Sequence, residues 1–237
     1  MLTYKIESER KRIEEFRAGV LVVLDGVDGA GKTSLVQRLK DSIRKRFDFQ
    51  THSFAFPGAG IPDVRKIMKY YDDISSVSKA FVSLADMTAL AHRSLYRLLD
   101  TPKTVVLLDR YYLSTFVYQG VLGSYDPKAY SAKDRELFVL SLIHTSGLPR
   151  PNVSFIPDIS FDVGVQRRTY RTVTEKPDVY ESMMDFDKRY YDMVREAYLR
   201  AAEVFVPAHV LDASKSLEDL EKEILDKLVR YLPGPVY

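Results

Sequence analysis

The sequence predicts an α/β fold in three layers, a parallel sheet of about five strands with helices on both faces. Three observations carry this. Short apolar runs at 20–24, 104–108 and 153–156 alternate with longer segments of helical periodicity. The runs are near-continuous, as expected of parallel strands covered on both sides. The first run also passes through a glycine-rich turn directly into a helix, the beginning of a βα alternation that extends to the C-terminal region.

Taken in order, residues 4–17 are mostly charged, with Ile6, Ile13 and Phe16 as apolar contacts, and read as a short helical extension over 1–18 outside the main domain, 19–237. Val20 to Leu24 is the first strand. Leu35, Val36, Leu39 and Ile43 then repeat at helical spacing over 32–46. A second strand at 50–56 stops at Pro57-Gly58, and a short helix is expected near 62–71. Residues 77–99 read as a long helix whose apolar face runs through Phe81, Leu84, Leu95, Leu98 and Leu99. After the strand 104–108, Ser114 enters a helix, 121–133 reads as a loop, and 134–145 is helical. The strand 153–156 leads into a helix from 160 that carries Arg167, Arg168 and Arg171. A helix over 183–202 places Phe186, Tyr190, Met193, Val194 and Tyr198 at helical spacing, and a strand at 208–212 and a helix at 216–230 close the domain.

The composition describes an ordinary soluble protein: 46% hydrophobic and 29% charged residues, with a net charge of +2 that gives no electrostatic case for nucleic-acid binding. The absence of cysteine excludes disulfides and thiolate metal sites. No apolar run reaches membrane-spanning length and the N-terminal stretch is charged, so the expectation is a cytoplasmic protein without membrane attachment. The four histidines are too dispersed to suggest a metal cluster.

The chemistry begins at VLVVLDGVDGAGKTSL (20–35), where Gly26, Gly31, Lys32 and Thr33 fit G-x-x-x-x-G-K-[ST]. Glycines let the backbone wrap a phosphate, and successive N–H groups and a helix N-terminus supply donors. Gly26, Val27, Asp28, Gly29, Ala30, Gly31, Lys32, Thr33 and Ser34 thus form the candidate ATP site of a P-loop NTPase. In it Lys32 offers a charge to the β- and γ-phosphates, and Thr33 a hydroxyl to Mg²⁺.

Asp109-Arg110 ends a buried strand on the same sheet edge as this loop. Asp109 could bind Mg²⁺ or orient an acceptor, and Arg110 could clamp a phosphate. Asp28 must meet a metal, an arginine or an acceptor hydroxyl, because a carboxylate beside a triphosphate is otherwise costly. Arg167, Arg168, Arg171 and Lys176 lie in a segment without an apolar stripe, the pattern of a basic lid over about 164–180 that excludes water from phosphoryl transfer, or of a solvated surface. Arg167 could instead stack on a base. Tyr111, Tyr118 and Gln119 offer aromatic walls and an amide to a flat acceptor.

LDGVDGAGKTSL (24–35), DRYYLSTFVYQG (109–120), PNVSFIPDISFDVGVQRRTYR (151–171) and HVLDASKSLEDLEKEI (209–224) together resemble the thymidylate kinase family, in the family's order. The resemblance implies phosphoryl transfer from MgATP to dTMP by a homodimer. It also implies that Asp28 meets the acceptor's sugar or phosphate region, that Asp109 and Arg110 place Mg²⁺ and acceptor phosphate, and that Tyr118 lies against the deoxyribose. With no basic residue between Asp28 and Lys32, the catalytic arginine is expected from the lid, at Arg168 or Arg171. Two departures concern the acceptor. FAFPGAG (54–60) lacks the arginine of the family's REPGG or FPER motif, which Arg65 could replace. SLADM (83–87) puts Ser83 and Met87 where the family's F-x-A-x-R has its base-stacking Phe and base-reading Arg, leaving Phe81, Tyr70 or His92-Arg93 to take over. The alternatives are a kinase for another monophosphate or for a deoxynucleoside, and, in a different class, a P-loop switch that hydrolyses ATP to control a partner.

Overall fold

The computed structural model describes residues 18–70, 74–123, 131–169, 187–205 and 207–233, apart from the side chains of residues 69, 70, 168 and 169. Five strands form one parallel sheet: β1 (Val20–Leu24), β2 (Gln50–Ala55), β3 (Thr104–Asp109), β4 (Val153–Asp158) and β5 (Ala208–Asp212), in the order β2-β3-β1-β4-β5. Every residue of β1 and β3 is buried, whereas the outer strands β2 and β5 keep partly exposed positions. This division explains why the inner strands read as unbroken apolar runs. The register aligns Leu24 and Ala55 with Asp109, so the loops after β1, β2 and β3 open at one edge.

Helix α1 (Lys32–Phe47) buries Leu35, Val36, Leu39 and Ile43 and carries Arg44, Lys45 and Arg46 in its last turn, where cations complement the helix dipole. Helix α2 (Val64–Tyr70) follows β2. Helix α3 (Ser76–Leu90) is capped by Ser75, whose hydroxyl accepts from the Ser78 N–H, and continues through a π turn (Ala91–Leu95) into a last α turn (Tyr96–Leu99). Its buried face is Ala80, Leu84, Met87, Leu90, Ala91, Leu95, Leu98 and Leu99. Phe81, expected on that face, is 51% exposed and meets Phe138 edge-on instead. The reason is phase: Ala80 and Leu84 fix the core direction, and the next residue points about 100° away from the first.

The short helix α4 (Tyr112–Thr115) runs on as a π turn (Phe116–Val121). Helix α5 (Ala132–Thr145) inserts buried Arg135 at the end of that turn, where it donates to the Gly120 and Val121 carbonyls. Helix α6 (Phe161–Thr169) follows β4, and α7 (Lys188–Val204) follows the segment 170–186, which lies outside the described residues. In α7 the core side is Tyr191, Val194, Ala197, Tyr198 and Ala201, while Met193, expected inside, is 48% exposed. Helix α8 (Leu217–Leu228) packs on α1, where Glu221 accepts from Arg38 and Ser42. The N-terminal extension, apart from residue 18, lies outside the described residues.

Candidate functional site

A cavity of about 850 Å³ lies over the C-terminal edge of the sheet. Asp28, Gly29, Gly31, Lys32, Thr33 and Ser34 line it from the β1–α1 loop; Asp109, Arg110, Tyr111, Tyr118 and Gln119 line it from the end of β3 and the helical segment after it. Arg65 on α2, Arg167 on α6, Lys215 and Ser216 before α8, and Leu217 at its start complete its rim. Gly26, Val27 and Ala30 shape the loop from behind and do not line the cavity. Gly31, at φ 85°, begins α1 in the left-handed region that glycine adopts without strain. Gly26 has φ 144°, and a Cβ there would sit 3.0 Å from the Pro157 carbonyl.

Lys32 is buried, and its ammonium donates to the Val27 carbonyl at 2.8 Å and lies 3.7 Å from Asp28. Burial, with Arg110 nearby, lowers its pKa to about 8 against the pull of Asp28, Asp109 and Asp25. Thr33 donates its hydroxyl to Asp109 at 2.5 Å. A hydroxyl and a carboxylate so joined suit Mg²⁺, which takes few protein ligands and completes its octahedron with phosphate oxygens and water.

Arg110, at φ 68°, is the hub. Its guanidinium pairs with Asp28 and donates to the Gly26 carbonyl at 3.3 Å, the Ser114 hydroxyl at 3.2 Å and the Tyr198 hydroxyl at 3.0 Å. It also lies 5.7 Å from the centre of the Tyr118 ring. Burial opposes its charge, but Asp28 foremost among its neighbours holds its pKa well above the ordinary value. Of the three partners open to Asp28, the structure supplies the arginine. Tyr111 lines the cavity, although its hydroxyl donates to the Pro149 carbonyl at 3.2 Å.

Sequence reasoning missed three contributors. Asp25, fully buried beneath the loop, accepts from the Ser114 hydroxyl and from the Tyr111 N–H at 3.1 Å. Burial pushes its pKa up to about 7 despite the Ser114 hydrogen bond and the charges of Arg110 and Lys32. Tyr198, expected only as packing, bonds both Arg110 and Ser114. Asp86 on α3 accepts from the N–H groups of Gly58, Gly60 and Ile61 at 2.5, 2.7 and 2.6 Å, fixing the loop that begins with the cis Phe56–Pro57 bond. The loop approaches so closely that a Cβ at Gly60 would collide with the Asp86 carbonyl. A polar residue amid the buried positions of α3 was the available signal for Asp86; an acid closing an apolar strand was that for Asp25.

Asp25 yields a pH prediction. Between about pH 4 and 7 the folded protein retains a proton that the unfolded chain has released, so this group's contribution to stability falls as pH rises through that window. Asp25→Asn should lack that fall, a difference of at most about 4 kcal/mol for a shift from 3.8 to about 7. Thermal melting of both proteins at pH 5 and pH 8 checks it; parallel curves would refute the protonated carboxyl.

Residues 24–224 match the family model described as Thymidylate kinase. The chain belongs to the thymidylate kinase family. A thymidylate kinase of Symbiobacterium thermophilum is 29% identical over 223 residues, covering 90% of this chain and 94% of that protein. One from Oleidesulfovibrio alaskensis is 25% identical over 210 residues, covering 86% and 95%. A probable thymidylate kinase of Methanosarcina acetivorans is 26% identical over 219 residues, covering 90% and 97%. Membership in the family makes the protein an ATP-dependent kinase rather than a P-loop switch.

At the acceptor end of this thymidylate kinase family site, Ser83 and Met87 line the cavity, together with Met68, Thr115 and Arg65. The Arg65 Nε donates to the Pro57 carbonyl at 3.3 Å. Phe81, His92 and Arg93, expected to replace the base-stacking Phe and base-reading Arg, do not line the cavity. Phe81 points to α5, His92 packs on Tyr96, and Arg93 donates to the Gly60 carbonyl at 2.5 Å. The Tyr70 and Arg168 side chains, and all of Arg171 and Lys176, lie outside the described residues.

Proposed function

We propose that the protein transfers the γ-phosphoryl group of ATP to dTMP, giving dTDP and ADP. The observation that carries this is one cavity lined both by a phosphate loop and by Arg110, Tyr118 and Gln119, with Arg110 bonded to the loop at Asp28 and Gly26. Phosphoryl transfer needs little covalent help from protein; it needs two phosphate groups in line, their charge neutralised and water excluded. The loop N–H groups and Lys32 hold the donor phosphates, and Thr33 and Asp109 hold Mg²⁺, which when bound neutralises phosphate charge. Arg110, with Asp28 fixing its plane, and Arg65 receive the acceptor phosphate; Tyr111 and Tyr118 flank the sugar and Gln119 the base. Arg167 borders the ATP base, and Arg168 and Arg171 close as a lid over about 164–180.

Replacing both Arg168 and Arg171 by alanine should lower kcat about 10²-fold, the scale of a lost transition-state donor. Single-turnover kinetics at saturating ATP check this, and an effect confined to the KM for ATP would remove the lid from the chemical step. The protein further reads as a cytoplasmic homodimer with an N-terminal helical extension over 1–18. Exposed Phe81 and Leu137, on neighbouring α3 and α5, support a second copy on that face.

The test is ATP-dependent diphosphate formation from dTMP, dGMP, UMP and thymidine, separated by anion-exchange chromatography. dTDP should form fastest. Preference for dGMP, UMP or thymidine would overturn the acceptor, and ADP formation without any acceptor would overturn the kinase.

A further inference from the structure

The base-facing end of the cavity is closed by α3 and by the helix that begins at α4, which pack together. Ser83 and Met87 come from the first, Thr115 and Gln119 from the second. The Ser83 and Thr115 hydroxyls and the Gln119 amide share an unusual state. Their residues are only 6%, 2% and 3% exposed, yet among the described residues none of the three side chains has a hydrogen-bond partner. Their polar atoms open to the cavity, where water or the edge of a ligand can meet them. All three are neutral, which suits an uncharged polar edge rather than a phosphate.

All three are also ambivalent. A hydroxyl rotates to donate or accept, and an amide turns over to exchange its oxygen for its NH₂. The edges of the two common pyrimidines are mirror patterns. Thymine offers an N–H donor beside a carbonyl acceptor, and cytosine a ring-nitrogen acceptor beside an amino donor. A fixed donor such as a guanidinium would select one of them. Met87, whose thioether is at most a weak acceptor, provides no such donor at its place on α3. Resting on the proposed kinase activity, we propose that this acceptor site takes both 4-oxo and 4-amino deoxypyrimidine monophosphates, with Ser83, Thr115 and Gln119 reorienting to match either.

The experiment is kcat/KM for dTMP and dCMP with ATP, measured on the full chain. The expected result is a ratio within about 10²-fold, since sites built on fixed hydrogen bonds discriminate by about 10⁴-fold or more. A larger ratio in the wild-type protein would overturn the proposal. Gln119→Glu, an isostere that accepts only when ionised, should move the ratio at least about tenfold toward dCMP, and Met87→Arg should move it as far toward dTMP. Folded variants with unchanged ratios would count against it; if they fail to fold, the wild-type ratio decides. Turnover of neither pyrimidine would overturn the proposed acceptor class, and this proposal with it, whereas dTMP turnover with dCMP excluded would overturn this proposal alone.

Discussion

Lys32→Met should lower kcat about 10³-fold while leaving the ligand-free protein at least as stable as the wild type at pH 7. The two halves have one cause. Lys32 holds its charge in a place that burial makes unfavourable, with its pKa down to about 8, waiting on the Val27 carbonyl. Below pH 8 the charge costs the folded state up to roughly 3 kcal/mol for a shift from 10.5 to about 8. Between about pH 8 and 10.5 the unfolded chain binds the proton that the folded one has lost, so stability recovers as pH rises through that window. Methionine keeps the length of the side chain and removes the charge. The melting temperature of the variant should therefore exceed that of the wild type at pH 7 and converge with it near pH 10. A triphosphate adds negative charge beyond that of Asp28, Asp109 and Asp25, so loss of the ammonium is felt in turnover. A variant that turns over within tenfold of the wild type would remove Lys32 from phosphoryl transfer, and one that melts far lower would refute the unfavourable burial.

The contrast between Lys32 and its surroundings also marks what the sequence could reveal. The loop was legible because backbone geometry demands its glycines: Gly31 occupies a left-handed conformation at the head of α1, and Gly26 has a positive φ and would press a Cβ against the Pro157 carbonyl. The inner strands were legible because burial on both faces leaves only apolar choices, and Asp109-Arg110 stood out by ending one of them. The residues that stayed hidden depend on partners far along the chain. Ser114 reaches Asp25 across 89 positions and Tyr198 across 84, and no local pattern encodes such meetings. Asp86 sits within a helix, where an acid ordinarily faces solvent; only the fold brings three N–H groups of the 58–61 loop to it. Phe81 and Met193 were misplaced for a milder reason, since one residue of helical phase separates core from surface. At the acceptor end Ser83 and Met87 do line the cavity, so the departure from the family's motif was visible as residues but not as geometry.

Arg110 should behave oppositely to Lys32: Arg110→Ala is expected to lower kcat/KM for the acceptor about 10³-fold or more and to destabilise the fold by about 3–5 kcal/mol. Its side chain is 16% exposed and that of Asp28 17%, so the pair is shielded but not sealed. Removing the guanidinium takes the closest cation from the Asp28 carboxylate, leaving Lys32 at 3.7 Å, and withdraws hydrogen bonds from Gly26, Ser114 and Tyr198. Arg110→Lys should recover part of the stability and little of the turnover, because one ammonium cannot reach these partners in a planar fork. Adding Asp28→Asn to Arg110→Ala separates the causes. If the stability loss is chiefly the weaker compensation of the Asp28 carboxylate, the double variant should melt above Arg110→Ala, and the two substitutions should couple by about 1–3 kcal/mol. Turnover should not return, since the acceptor phosphate would still lack its clamp. A double variant that regains turnover would instead mean that Arg110 serves only to neutralise Asp28, and the acceptor phosphate would then have to be held by Arg65 and the lid arginines alone.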